Sequence, residues 1–303
     1  MKNYFIVNPI AGEGKGLEVV KEQINHLNLY LKADNEFEIL LTTRPKEAIV
    51  LAKKICEENK DTAINVFACG GDGTSFEVLN GIIQYPNVNF GIIPVGSCND
   101  FLKTFEGHDF LSLERQLLGQ KTCIDVLESD GEFLLNVANF GFDARTNYDQ
   151  IRYRHRFKMI KKAYNYSLFK NIISPKLGDE VDVYLDGVLI FSGKMMLSTV
   201  ANAKYYGGGF KCAPHAHYQD GLADILVVKK VSIFTFARLV KYYKKGLHLD
   251  NERFHKLLTY RRGQIVDIVA KKALVGCLDG ETRIGKSFRV KIHKDKIKFI
   301  IPA

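Results

Sequence analysis

The chain has 303 residues, 46% hydrophobic and 25% charged, enough for two domains with real cores and unlike a disordered or fibrous chain. Its six cysteines (56, 69, 98, 123, 212, 277) lie far apart with no C-x-x-C pair, which excludes a disulfide framework and a zinc site. No apolar run approaches the length needed to cross a bilayer, and Tyr4–Val7 is too short for a signal-peptide core, so a cytosolic protein is expected.

In chain order, Asn3–Val7 is a short apolar strand running into Asn8-Pro9-Ile10-Ala11-Gly12-Glu13-Gly14-Lys15-Gly16. Leu17–Leu31 carries apolar residues at helical spacing. Phe37–Thr43 is the next strand and Arg44–Asn59 the next helix, with Pro45 suited to its first turn. Thr62–Ala68 is β-branched and apolar and reads as a buried strand, and Ser75–Ile83 reads as a helix. Asn89–Val95 makes a further strand, after which Asn99-Asp100 is expected to cap a short helix at Phe101–Phe105. This βαβαβαβα order predicts a parallel sheet with helices on both faces and ligands at the carboxyl ends of its strands.

Three glycine-rich loops, after residues 7, 68 and 95, fall at that one edge. In Cys69-Gly70-Gly71-Asp72-Gly73-Thr74, glycine admits close backbone approach to an anion, and the N–H groups of the next helix face it. Asp72 is a carboxylate where a phosphate would sit, a pairing that makes sense with a divalent cation between them. An ordinary tight βα turn has the same spacing, so both readings stand at this point. The Asn8–Gly16 loop is a second candidate cradle, although it lacks the Walker A spacing.

Near Lys121 the pattern changes to strands joined by turns at Ser129-Asp130-Gly131, Asp186-Gly187, Gly207-Gly208-Gly209 and Asp220-Gly221. Expected strands are Ile124–Leu127, Phe133–Phe140, Glu180–Leu185, Val188–Val200, Ala223–Val228, Phe254–Tyr260, Gln264–Ala270, Phe288–Ile292 and Ile297–Ile301. Helices are expected at Phe157–Ile173 and at Ser232–Gly246, with Ser232 as N-cap. The fold class is thus an α/β domain over 1–121 and a mostly antiparallel sandwich or barrel over 122–303, with a return of the last strands to the first domain left open.

Net charge is +9, and from Gln150 to Gly178 there is no acidic residue while Arg152, Arg154, Arg156, Lys158, Lys161, Lys162, Lys170 and Lys176 all fall there. Such a block suits an anionic partner or is a plain solvated face. His215 and His217 lack the further ligands of a zinc site. No nucleic-acid recognition motif accompanies the charge.

GGDGT followed by Glu77, Asn80-Gly81 and Pro94-Val95-Gly96-Ser97-Cys98-Asn99-Asp100-Phe101 resembles the diacylglycerol-kinase-type lipid kinase family, which also holds sphingosine kinases and bacterial soluble lipid kinases. NAD kinases and phosphofructokinases share only the GGDG core. The resemblance extends from Asn8 to Glu281. It implies a Rossmann-like, phosphofructokinase-like nucleotide domain, a β-sandwich substrate domain, ATP as co-substrate and Mg2+. Carried over residue by residue, nucleotide contacts fall on Asn8, Pro9, Gly12, Lys15, Thr43, Gly70, Gly71, Gly73, Thr74 and Ser97. Catalytic roles fall on Asp72 and on the Asp-Gly-Glu turn, with Glu281 as base and Asp279 in support. A structural magnesium is implied at Asp220, assisted by the backbone carbonyls of His217 and Leu222. A lone Asp-Gly or Asp-Gly-Glu would otherwise be a plain turn.

This chain departs from the family in having Ser97 where threonine is usual and Cys98 where threonine is frequent. The activity implied is γ-phosphoryl transfer from ATP to a lipid hydroxyl in phospholipid synthesis, diacylglycerol giving phosphatidic acid being the leading case. The implied partners are ATP and a lipid at an anionic membrane surface, approached peripherally from the cytoplasm, with a homodimer left open. An NAD kinase-like enzyme and a non-catalytic nucleotide-binding protein at a membrane surface are the alternatives. The second would be marked by a missing catalytic carboxylate, and Glu281 is present.

Overall fold

Short apolar runs between glycine loops pair side by side in the first part of the chain. The computed structural model describes residues 1–153, 166–167, 170–171 and 178–303. It folds as two compact units: 1–126 with 293–303, and 127–292. The boundary drawn from the sequence after residue 121 falls inside strand β5 (Gln120–Ser129).

In unit 1, β1 (Lys2–Val7), β2 (Glu36–Leu41), β3 (Ile64–Gly70) and β4 (Val88–Pro94) pair in the order β4-β3-β1-β2, every pair parallel. The register is pinned by a row of asparagines at one level of the sheet. Asn65 donates to Asn3 at 2.7 Å, Asn89 donates to Asn65 at 2.9 Å, and all three are buried. A one-residue slip would leave these amides without partners in the core, so the row selects the pairing. Phe5 stacks on Phe67 with ring centroids 4.9 Å apart. The crossover helices are α1 (Gly16–His26), α2 (Leu29–Asp34), α3 (Glu47–Glu58) and α4 (Asp72–Ile82), followed by α5 (Leu113–Leu118). Gly81 of α4 lies against α3: a Cβ there would stand 2.8 Å from the Ile49 carbonyl oxygen. Glu77 accepts from the backbone amides of Lys46 and Ala48 at 2.9 and 3.2 Å, tying the start of α3 to α4.

Unit 2 begins with β5 turning into β6 (Glu132–Leu134). Its remaining strands are β7 (Val137–Gly141), β8 (Asp179–Leu185), β9 (Val188–Ala201), β10 (Ala223–Lys229), β11 (Leu258–Gly263), β12 (Ile265–Leu278) and β13 (Glu281–Ile301). They pair antiparallel in the order β11-β10-β9-β7-β12-β13, with β8 joined to both β9 and β12. The end of β13 returns to unit 1 and lies parallel to β4, pairing Lys298 with Asn89 and Phe299 with Phe90. The helix Ile233–Lys244 packs through Phe236, Leu239 and Tyr243, with Phe236 against Phe142 at 5.0 Å.

Several elements differ from the sequence reading for local reasons. The helix expected over 17–31 is broken because Leu27 is extended and Asn28 caps α2, accepting from the Leu31 amide at 3.0 Å. The helix expected from Arg44 starts at Glu47, after Lys46 takes a left-handed backbone. The strand expected over Phe254–Tyr260 opens as a helical turn, Glu252–His255, capped by Asn251. The separate strands expected at 288–292 and 297–301 are one continuous strand. Helix α6 (Phe142–Tyr153), unforeseen because its apolar face is thin, follows β7 directly. The helix expected at Phe157–Ile173 and most of the basic block lie outside the described residues. Within it, Lys170 pairs with Asp149 at 3.0 Å. Among the described residues no helix is long and apolar enough to cross a membrane.

His248 in unit 2 is fully buried and neither ring nitrogen completes a hydrogen bond, although the Cys212 backbone comes close. Burial lowers its pKa from 6.5 to about 4, with Asp250 opposing and His215 reinforcing the shift. The unfolded chain therefore takes up the proton first, and stability is lost as pH falls from 6.5 towards about 4. At full extent this amounts to about 3 kcal/mol. Melting temperatures measured across that window should fall less for His248→Leu than for the parent. An equal fall in both would assign the acid sensitivity to other groups.

Candidate active site

The carboxyl ends of β1, β3 and β4 release three loops that touch each other through glycine. The Asn8 amide donates to the Cys69 carbonyl at 3.0 Å, and the Asn8 side chain accepts from the Ile10 amide at 3.2 Å, turning the chain sharply after β1. Gly12 has φ +61°, and a Cβ there would stand 2.6 Å from the Val95 carbonyl oxygen. A Cβ on Gly96 would stand 2.6 Å from the Gly71 nitrogen. Neither contact tolerates a side chain, so these positions hold the loops at backbone distance.

The Gly70 carbonyl accepts from both the Gly96 amide and the Asn99 side-chain amide, each at 3.0 Å. Asn99 therefore does not cap the short 3-10 helix Asp100–Thr104 as expected. It sits in the left-handed region (φ 47°) and its side chain ties β4's loop to β3. Helix α4 starts at Asp72 with no side-chain cap, which leaves its first amides directed at the loop edge, an arrangement suited to an anion.

Asp72 accepts from the Asp100 amide at 3.0 Å. Burial, and then the Asp100 charge, push its pKa above the ordinary carboxylate range. Ligand atoms of Asp72, Cys98 and Asp100 all lie within 4.8 Å of one another, and Asp100 is also paired with Lys103. Two crowded carboxylates whose repulsion a divalent cation would relieve are a hard-oxygen donor set of the magnesium type, so these residues fit such an ion. The sequence reading missed Asp100 and Cys98 as partners of Asp72, since they lie 28 and 26 positions away and only sheet pairing joins their loops.

The other expected nucleotide residues sit at the same edge of unit 1. Pro9 and exposed Lys15 flank the β1 loop, Gly73 and buried Thr74 lie in the first turn of α4, and Ser97 is exposed after β4. Thr43 follows β2, and its hydroxyl donates to Glu47 at 2.9 Å.

In unit 2 the turn between β12 and β13 carries Asp279, Gly280 and Glu281. Asp279 takes a left-handed backbone (φ 44°), and its carboxylate accepts from the amides of Leu135, Asn136 and Val137 at 2.8, 3.1 and 2.8 Å. That geometry makes Asp279 a positioning residue for the turn. Glu281 beside it is partly exposed, with Arg283 4.0 Å away.

The residues expected to hold a structural magnesium carry a different cation. The Arg262 guanidinium contacts the Asp220 carboxylate and donates to buried Asp224 at 3.2 Å, and Tyr260 donates to Asp224 as well. The second Asp220 oxygen accepts from the Leu222 amide at 3.0 Å, and the His217 ring accepts from the Gln219 amide at 3.3 Å. The guanidinium balances the Asp220 carboxylate as Lys103 balances Asp100, so Asp220 already has a counter-charge. With Arg262 as that counter-charge, EDTA should leave the melting temperature of the Asp72→Asn variant unchanged. Arg262→Ala, which strands the buried Asp224 charge, should cost about 3 kcal/mol in a denaturant titration. Loss of stability on chelation in Asp72→Asn would return the ion to Asp220.

Residues 2–128 match the diacylglycerol kinase catalytic domain, and residues 136–300 match the YegS C-terminal NAD kinase beta sandwich-like domain. A protein of Bacillus subtilis (strain 168) named diacylglycerol kinase is 29% identical over 282 residues, covering 91% of this chain and 88% of that protein. One of Staphylococcus aureus (strain Newman), also named diacylglycerol kinase, is 26% identical, covering 91% and 84%. The crystal structure of a diacylglycerol kinase from Bacillus anthracis str. Sterne shares the fold, with TM-score 0.73 at 22% identity over 99% of this chain and 96% of that one. An α/β unit followed by a β-rich unit, with these matches, defines a kinase. The chain belongs to the diacylglycerol-kinase-type lipid kinase family.

Proposed function

We propose that this lipid kinase transfers the γ-phosphoryl group of ATP to the free hydroxyl of diacylglycerol, giving phosphatidic acid and ADP. The observation that carries the nucleotide half of the reading is the meeting of three glycine loops beside Asp72 and Asp100 at one edge of unit 1. The parallel order β4-β3-β1-β2 supports a Rossmann-like, phosphofructokinase-like nucleotide domain. The names of the curated relatives support the substrate.

In this reading the amides of the Asn8–Gly16 loop and the start of α4 bind the phosphates, with Lys15 adding charge and Thr43 and Ser97 contacting nucleotide. Asp72 and Asp100 would hold Mg2+, which supplies neutralisation of phosphate charge. Glu281 takes the proton from the lipid hydroxyl, the hydroxyl oxygen bonds to the γ-phosphorus, and the bond to the β-phosphate oxygen breaks with ADP as leaving group. Asp279 orients the turn from which Glu281 acts. The Arg152–Lys176 block supports approach to an anionic membrane surface from the cytoplasmic side.

ATP consumption measured with diacylglycerol, monoacylglycerol, sphingosine, ceramide and phosphatidylglycerol tests the substrate, and phosphatidic acid from the first alone is the expected result. Asp72→Asn should keep the circular dichroism spectrum and melting behaviour and lose turnover with every lipid. Near-parental turnover in a folded variant would remove Asp72 from the site. Glu281→Gln should lower kcat about 10² to 10⁴-fold with the KM for ATP little changed. A raised KM for ATP at constant kcat would make Glu281 a nucleotide-binding residue.

A further inference from the structure

A run of cations, separate in sequence from the Arg152–Lys176 block, lies on and beside the helix Ile233–Lys244 of unit 2. From Ile225 to Leu249 the chain has no acidic residue and carries Lys229, Lys230, Arg238, Lys241, Lys244 and Lys245. Ser232 caps the helix, accepting from the Thr235 amide at 3.2 Å. The inner face is buried through Phe236, Leu239 and Tyr243. At about 3.6 residues per turn, Phe234, Arg238, Lys241 and Lys245 fall on one stripe along the opposite side. All four are exposed, and the Phe234 side chain heads the stripe at 84% exposure.

A solvated basic face accounts for the cations; the Phe234 ring beside them keeps 84% of its surface in water, apolar area that insertion into a lipid boundary would cover. Among the described residues Arg238, Lys241 and Lys245 enter no ion pair, so their charge is directed outward. Lys229 and Lys230, both exposed at the end of β10, extend the positive field towards the start of the helix. An apolar ring ahead of a row of cations, on a helix held firmly by its other face, is the chemistry of interfacial binding. The ring enters the boundary between headgroups and acyl chains while the cations meet lipid phosphates.

We propose that this stripe docks unit 2 on a bilayer containing anionic phospholipid. The proposal rests on the lipid-kinase reading for its purpose, because a kinase whose acceptor lies in a bilayer has to reach that surface. Its physical basis is the charge complementarity and the exposed ring alone.

The test is sedimentation of the full chain, without ATP, with vesicles of phosphatidylcholine alone and of phosphatidylcholine with phosphatidylglycerol. Binding is expected only to the second and should weaken as salt is raised. The combined variant Arg238→Gln, Lys241→Gln, Lys245→Gln should lower the partition coefficient about a hundredfold, and Phe234→Ser should lower it severalfold. Melting temperatures should match the parent, since none of these side chains packs in the core. Turnover of short-chain diacylglycerol dispersed in water should also match. Unchanged vesicle binding by the combined variant would overturn the proposal, as would equal binding to both vesicle types. So would retention on duplex DNA with no vesicle binding. A parent protein that sediments with anionic vesicles through this stripe yet phosphorylates no diacylglycerol would sink the substrate reading and uphold the docking surface.

Discussion

The close approach of Gly71 and Gly96 is the constraint on which the glycine-loop edge of unit 1 depends. A Cβ on Gly96 would collide with the backbone of Gly70 and Gly71, so the loops after β3 and β4 come together only because one of them lacks a side chain. That contact sets the Gly70 carbonyl between the Gly96 amide and the Asn99 side chain. The same closure brings the Asp100 amide onto Asp72 and crowds two carboxylates beside Cys98. The raised pKa of Asp72 follows from burial and then from this crowding, both consequences of backbone packing.

Unit 2 uses a carboxylate in the opposite sense. Asp279 accepts from the backbone amides of Leu135, Asn136 and Val137, where the chain enters β7, so its charge holds a turn. The left-handed backbone at Asp279 is the local strain that this triple contact maintains. Glu281, two residues further on, stays partly exposed, with Arg283 4.0 Å away. Arg262 shows a third arrangement, with a guanidinium shared by Asp220 and Asp224. Its planar fork can serve two carboxylates at once, a geometry that a compact ammonium group does not offer.

The family assignment decides between the lipid-kinase and NAD-kinase readings that GGDG alone left open. An exposed thiol beside Asp72 and Asp100 is a property of this chain's own sequence.

Much of the fold was legible because its signals are local. Alternating strands and amphipathic segments separated by glycine loops mark a βα repeat, and Asp-Gly dipeptides mark hairpins, whatever surrounds them. The residues of the candidate site in unit 1 were legible for the same reason, since Gly12, Gly70, Gly71 and Asp72 lie in glycine-rich stretches at strand ends. The helix break at Asn28, the helical turn at Glu252–His255 and the unbroken β13 were not, because side-chain capping and long-range pairing overrode propensity there. Three features were decided by tertiary structure alone: Asp100 beside Asp72, Asp279 on the amides of Leu135–Val137, and Arg262 on Asp220. Each joins residues 28 to 144 positions apart, and sequence spacing carries no information about which carboxylate meets which donor once the chain has folded. By itself, the sequence determined which groups are available for chemistry, while the packing of sheet and loops determined which of them are already neutralised and which remain for a substrate.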